Sequence, residues 1–230
     1  MRINDYVFKY RSLLFISIFI IGFGAFPGPS MTTNLFILWH LTITQLKIFV
    51  TACSLAGIAG FFIRIWGAGY LGPSIVHSRE MHSESLITSG PYAHMRNPLY
   101  FGALLMIVGF LPVLTLYGFV FIIAALGVLI YALIREEEIA MLAVHGKEYL
   151  KYKSMTHAII PKFRKAEVSG LGVSNIKFSI TNGFKSEILY VFVFSTLIGG
   201  ILFSSLAFEI SFYSLLVTGV ILFLVFNGTR

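Results

Sequence analysis

The sequence predicts an all-α fold, a polytopic membrane helical bundle with about six transmembrane helices. Three observations carry this expectation. Of 230 residues, 57% are hydrophobic and only 12% charged, and the mean hydropathy is +0.86. A soluble domain carries about a quarter charged residues, so this chain cannot cover a water-facing surface and its apolar excess requires lipid as solvent. The apolar residues also fall into runs long enough to cross about 30 Å of hydrocarbon. Finally, Lys and Arg gather between alternate runs rather than scattering along the chain.

The first run extends from about Ser12 to Phe26 and ends at the breaker Pro27-Gly28-Pro29. Arg2, Lys9 and Arg11 precede it as they would in a signal peptide, but no convincing small-x-small cleavage site follows. GAFPGPS reads instead as an exit turn, and a retained helix is expected. A mixed, interfacial stretch from Asn34 to Gln45 leads into a second span from about Lys47 to Trp66. Leu99 to Leu116 and Tyr117 to Ile134 form a third and a fourth, joined tightly around Pro112. Ile188 to Leu206 and Ile210 to Phe226 supply the fifth and sixth.

Positive charge collects on cytoplasmic segments. With the N-terminus inside, those segments are 1–11, 67–98, 135–187 and 227–230. They hold every Lys and Arg except Lys47, at the outer end of the second span, and Arg64, near its inner end. Both termini are therefore expected in the cytoplasm, with the protein multi-pass in the plasma membrane, the inner one of a bacterium. The formal net charge of +7 points to an anionic membrane surface and not to nucleic acid, because the basic residues flank apolar runs. Cys53 is alone and lies in an apolar run, so no intrachain disulfide exists.

Two of the cytoplasmic segments hold most of the remaining polar residues. In the first, His77 to Tyr100, Ser89-Gly90-Pro91 signals a turn. Asn97-Pro98 then signals a helix start, with Asn as N-cap and Pro at the first helical position. Backbone N–H groups at such a start, with Arg96 one residue outside, suit a carboxylate; a plain interfacial Arg is the equally good alternative. The second segment begins Arg135-Glu136-Glu137-Glu138 and keeps helical character to Tyr152. One Glu face can turn inward and accept from an amine or ribose hydroxyls, whereas a solvated charge run with an Arg135–Glu138 pair is the simpler reading. Gly67-Ala68-Gly69 reads as a close-packed or flexible exit from the second span, since no strand precedes it to make a dinucleotide fingerprint. His77, His82 and His94 lack zinc-ligand spacing, and no metal is expected.

Leu86-Ile-Thr-Ser-Gly90-Pro91-Tyr92-Ala-His-Met-Arg96-Asn97-Pro98-Leu-Tyr100-Phe-Gly102 resembles the signature of the isoprenylcysteine carboxyl methyltransferase and phospholipid methyltransferase superfamily, roughly L-[VI]-T-x-G-x-Y-x-x-x-R-[HN]-P-x-Y-x-G. Glu137-Glu138 followed by Gly146, Tyr149 and Tyr152 resembles its second motif, and Arg64-Ile-Trp66-Gly-Ala-Gly-Tyr70-Leu71 a stretch of its bacterial members. The resemblance covers about residues 48–161. It implies a cytoplasmic pocket for S-adenosyl-L-methionine lined by Leu86, Ile87, Tyr92, Asn97, Pro98, Tyr100 and Glu137, with His77 as a further contact. Arg96 and Glu137 are the candidate catalytic pair, Arg96 or the helix start meeting the methionyl carboxylate and Glu137 the amine. Tyr92 and Tyr100 would pack on the adenine or sulfonium.

The implied activity is methylation of a lipidic or small hydrophobic acceptor delivered from the bilayer. The chain then divides into an N-terminal helix and interfacial segment (1–47), a methyltransferase core (48–165), and a linker with a C-terminal hairpin (166–230). Where the family's eukaryotic prenylcysteine enzymes carry His in R-H-P this chain has Asn97, and where they begin H-x-L-V-T it has Glu84. Where they carry a substrate-contacting Arg it has Leu133, which argues against a prenylcysteine carboxylate. The alternatives are a phosphatidylethanolamine N-methyltransferase, an NADPH-dependent isoprenoid or sterol reductase, and a non-catalytic scaffold or small transporter.

Overall fold

The computed structural model describes residues 3–72, 76, 85–166 and 177–187. Among them the chain is helical and has no strand, only an isolated bridge between Met95 and His157. Helices α1 (Ile3–Lys9) and α2 (Arg11–Gly24) run almost end to end, since the Tyr10 and Leu14 amides donate to the Tyr6 and Tyr10 carbonyls across the joint. Alone, the 14 residues of α2 reach about 21 Å. The chain leaves it at Pro27-Gly28-Pro29, the expected breaker.

Helix α3 (Met31–Leu38) occupies the stretch expected to be interfacial, and the Ser30 hydroxyl caps it by accepting from the Thr33 amide. Helix α4 (Ile43–Leu71) is longer than the expected second span at both ends, because Thr42 and Gln45 form a reciprocal capping box that starts it early. Its 29 residues make about 43 Å. Helix α5 (Pro98–Phe110) starts where Asn97-Pro98 predicts but stops before Pro112, whose ring cannot continue the helix. The Pro112 carbonyl instead accepts from the Thr32 hydroxyl at 2.9 Å, fixing this turn to α3.

Helix α6 (Leu116–Met155) carries the expected fourth span onward through the glutamates, as its helical composition predicts. It does not stay straight. Gly146 has φ 50° and ψ −119°, a backbone state that glycine adopts without a Cβ penalty. The Lys153 ammonium meets the Glu138 carboxylate at 2.6 Å, although 15 residues of straight helix would part them by about 22 Å. The two limbs therefore fold back on each other at Gly146. A short helix α7 (Ile180–Ser186) lies in the segment expected to be linker, and the Ser179 amide anchors it to the Gly69 carbonyl at 3.1 Å.

Helices α4 and α6 are long and apolar enough to cross a membrane, while α2 and α5 are apolar but shorter. Ile48, Leu55 and Phe62 on α4 and Val120, Val128 and Tyr131 on α6 are all more than half exposed, an outer surface that suits lipid. The expected spans 188–206 and 210–226 lie outside the described residues.

Glycines let α4 and α5 approach closely: a Cβ on Gly60 would sit 2.5 Å from the Gly102 carbonyl oxygen, and one on Gly102 2.6 Å from that of Gly60. Gly67 continues this face against Pro98 and Leu99, whereas Gly69, nearly opposite on the helix, packs against Phe178, so Gly67-Ala68-Gly69 is helix and not a loop. Ile107, Phe110, Leu114, Ile122, Leu126, Ile130 and Leu133 form the main core between α5 and α6, with Phe8 of α1 closing its end.

Candidate functional site

The polar residues of the two sequence motifs converge where α5 begins and the distal part of α6 folds back. Residues 90–93 make a single 3-10 turn after Ser89, with Pro91 in its first positions and Gly90 at φ 62°, where the Tyr70 ring would meet any Cβ. The segment after α6 straps this turn in place. The Arg96 and Asn97 amides donate to the His157 and Ala158 carbonyls at 3.0 Å, and the Lys162 and Ala166 amides donate back to His94 and Ala93. Buried Tyr152 adds its hydroxyl to the Tyr92 carbonyl at 2.6 Å. Tyr149, Tyr152, Leu86 and Ala166 share one small core, so the second motif's tyrosines hold the first motif's loop.

Asn97 is the residue before α5 as expected, but its side chain does not cap the helix. Its Nδ2 instead donates to the Ala158 carbonyl of the strap at 3.0 Å. Pro98 takes the first helical position and is buried.

The two candidate catalytic side chains separate. Arg96 turns to Glu138, its Nε and Nη2 donating to Oε1 at 2.9 and 2.7 Å. Its Nη1 donates to the Lys153 carbonyl at 3.2 Å and to the Thr156 carbonyl. Lys153 Nζ completes the cluster on Glu138 Oε2 at 2.6 Å. Arg96 thus locks the loop to both limbs of α6. Burial raises the Glu138 carboxyl, but hydrogen bonds and charge from Lys153 and Arg96 outweigh it and hold the group below its ordinary range.

Glu137, one residue earlier and a hundred degrees round the helix, faces the other way. Its Oε1 accepts from the Tyr100 hydroxyl at 2.8 Å, joining the two motifs across α5 and α6. Among the described residues it has no further hydrogen-bond donor. Burial pushes its carboxyl up; the Tyr100 bond and the charge of Arg11 lower it, and Glu138 raises it. Tyr92 is buried with its hydroxyl 3.5 Å from the Gly67 carbonyl. Burial first, then the charges of Tyr152, Glu137 and Glu187, keep that phenol protonated well above 10. Leu86 and Ile87 are buried beside it, and His77 lies outside the described residues.

Three participants were not singled out as site residues from the sequence. Glu138 was indistinguishable from its two neighbours, since only the rotation of α6 decides which faces Arg96. Arg64 is buried and paired with Glu187 through Nε–Oε2 at 2.7 Å; its signals were its place as a lone basic residue inside an apolar run and as the first residue of the family-like stretch Arg64–Leu71. Arg11 acts on Glu137 from α2, far upstream of the motifs.

Residues 47–148 match the family model for phospholipid methyltransferases. No curated protein and no solved structure matches the chain. The matched stretch runs from the first turns of α4 past Gly146 and includes Arg64, Tyr92, Arg96, Tyr100, Glu137 and Glu138, but neither Arg11 nor Glu187. Its family is the one the motifs pointed to. The matched stretch is thus similar to a family of membrane methyltransferases, and it overlaps the two helices of crossing length.

Proposed function

We propose that this protein is an S-adenosylmethionine-dependent methyltransferase acting on a lipidic or membrane-delivered acceptor at the cytoplasmic face. The observation that carries the reading is the 2.8 Å bond between Tyr100 and Glu137. It puts a carboxylate, oriented by a phenol, at the meeting point of both family motifs. The residues fit the cofactor: the Glu137 carboxylate would hold its ammonium, and the Tyr92 and Tyr100 rings offer aromatic faces that would suit a cationic sulfonium. The concentration of Lys and Arg in 67–98 and 135–187 supports the cytoplasmic placement.

When bound, the cofactor supplies a methyl group on a sulfonium, open to in-line displacement by a nucleophile of the acceptor. The protein's part is then chiefly positioning. Glu137 would hold the ammonium, and the Tyr100 hydroxyl would fix the rotamer of Glu137. Arg96 would act as a positioning residue through the loop that carries Tyr92. Tyr92, kept neutral by burial, would offer an apolar wall that excludes water.

Leu133 favours an acceptor other than a prenylcysteine carboxylate: it is almost wholly buried in the main core and presents no cation. Together with the family description, this supports a phospholipid amine as the second reading of the acceptor. Mono- or dimethylated lipids in extracts of expressing cells would identify it.

The test is binding of radiolabelled S-adenosylmethionine to purified protein in detergent. Wild type binds, and Glu137→Gln loses at least about tenfold in affinity with its thermal midpoint retained. Stabilisation by NADPH with none by S-adenosylhomocysteine would overturn the reading and favour a reductase.

A further inference from the structure

Arg11 stands at the first position of α2, outside the stretch that matches the family. Its guanidinium carbon lies 4.0 Å from the centre of the Phe8 ring, and Nη2 donates to the Val76 carbonyl at 3.2 Å. The side chain is therefore fixed from two sides. Among the described residues its Nη1 is nevertheless buried with no hydrogen-bond partner, and no acidic side chain pairs with it. An unserved donor on a fixed cation is costly when withheld from water, unless a ligand supplies the missing acceptor.

The place where this donor is held makes a ligand the natural acceptor. Phe8, on which the guanidinium rests, belongs to the core cluster against which Tyr100 packs. Tyr100 is the residue that donates to Glu137, whose ionised form the charge of Arg11 favours. Arg96, the cation that the sequence offers for an anionic group, is engaged at all three nitrogens by Glu138 and two backbone carbonyls. Binding an anion there would cost the contacts that lock the loop.

We propose that Arg11 is the anion-binding residue of the candidate site, Nη1 donating to a carboxylate or phosphate oxygen of the bound molecule. The inference rests on the methyltransferase reading where that anion is the cofactor's carboxylate. Glu137 and Arg11 then meet the two charges of an α-amino acid with opposite charges of their own. The phosphate of a phospholipid acceptor presents the same oxyanion chemistry. The contact comes from the N-terminal helices, outside the stretch that matches the family.

The test titrates wild type, R11Q and R11K in detergent with three probes. S-adenosylhomocysteine carries the carboxylate, 5′-methylthioadenosine lacks it, and short-chain phosphatidylethanolamine carries a phosphate. R11Q is expected to lose about tenfold or more in affinity for an oxyanion-bearing probe while methylthioadenosine binds as before. A loss confined to S-adenosylhomocysteine assigns the carboxylate, and one confined to the phospholipid assigns the phosphate. R11K keeps the charge without the planar fork, so a drop of about threefold in the same probe is expected; this comparison stands alone should R11Q not fold. Affinities within about twofold of wild type for all probes would overturn the proposal. An equal loss that includes methylthioadenosine would overturn it too, marking a structural role. A wild type that binds phospholipid but not S-adenosylhomocysteine would sink the methyltransferase reading and leave Arg11 to be decided on the phosphate. Failure to bind either oxyanion probe sinks both.

Discussion

Glu187 meets Arg64 fork to fork, 123 positions away in the chain: Nε donates to Oε2 at 2.7 Å and Nη2 to Oε1 at 2.9 Å. The third nitrogen, Nη1, donates to the Leu99 carbonyl at 2.9 Å. One guanidinium thus ties α4 to the first turn of α5 and to the end of α7. Glu187 is fully buried and Arg64 nearly so.

Removing one partner of such a pair strands the other charge in a low dielectric. We expect Arg64→Ala and Glu187→Ala each to cost about 3–5 kcal/mol of stability. The double replacement Arg64→Met with Glu187→Leu should recover most of it, since neither charge is then left behind. Thermal denaturation in detergent reads this directly. Single variants within about 1 kcal/mol of wild type would show the pair to be solvated and unimportant.

The cluster of Arg96, Glu138 and Lys153 makes a prediction with a sign. Its two cations are unequal: Arg96 is one-tenth exposed at the side chain and Lys153 nearly half. Lys153→Ala should cost no more than about 1 kcal/mol, a surface value. Arg96→Gln should cost more and should also weaken cofactor binding, because two carbonyls and the loop lose their lock. Glu138 is held below its ordinary 4.5, so its contribution is present above that value and is lost as pH falls through the lower folded one. The thermal midpoint of wild type should therefore fall on acidification over this window, and Glu138→Gln should flatten the fall.

How far the sequence reveals this arrangement depends on the range of each interaction. The start of α5 at Asn97-Pro98 is legible because proline at a first helical position is a local signal. The destination of the Asn97 side chain is not, since Ala158 arrives from 61 positions away. Likewise, the three glutamates advertise a polar helix face, yet the rotation that sends Glu137 to Tyr100 and Glu138 to Arg96 is set by tertiary packing. The helix over 135–155 is written in its composition, whereas the reversal at Gly146 becomes visible only when Lys153 is found on Glu138. Arg64 is legible as a basic residue near the inner end of a span, but its pairing is not, because Glu187 lies in the segment that reads as linker.

The bond from Tyr100 to Glu137 gives the last prediction, which separates binding from folding. Burial raises the Glu137 carboxyl above 4.5 and the Tyr100 hydroxyl counteracts it. An ammonium is held by the ionised form, so cofactor affinity should fall as pH drops through a folded value lying above 4.5. Tyr100→Phe removes a stabiliser of the carboxylate and should move this fall to higher pH. At neutral pH it should cost up to about tenfold in affinity, the worth of about 0.5–1.5 kcal/mol for one hydrogen bond. Stability runs the other way: a raised carboxyl favours the fold below 4.5, and that advantage is lost as pH rises through the folded value. Binding and melting profiles of wild type, Tyr100→Phe and Glu137→Gln over the same pH range distinguish the two effects. A binding profile that Glu137→Gln leaves unchanged would show that another group carries the acid dependence and would take Glu137 out of contact with the cofactor's amine.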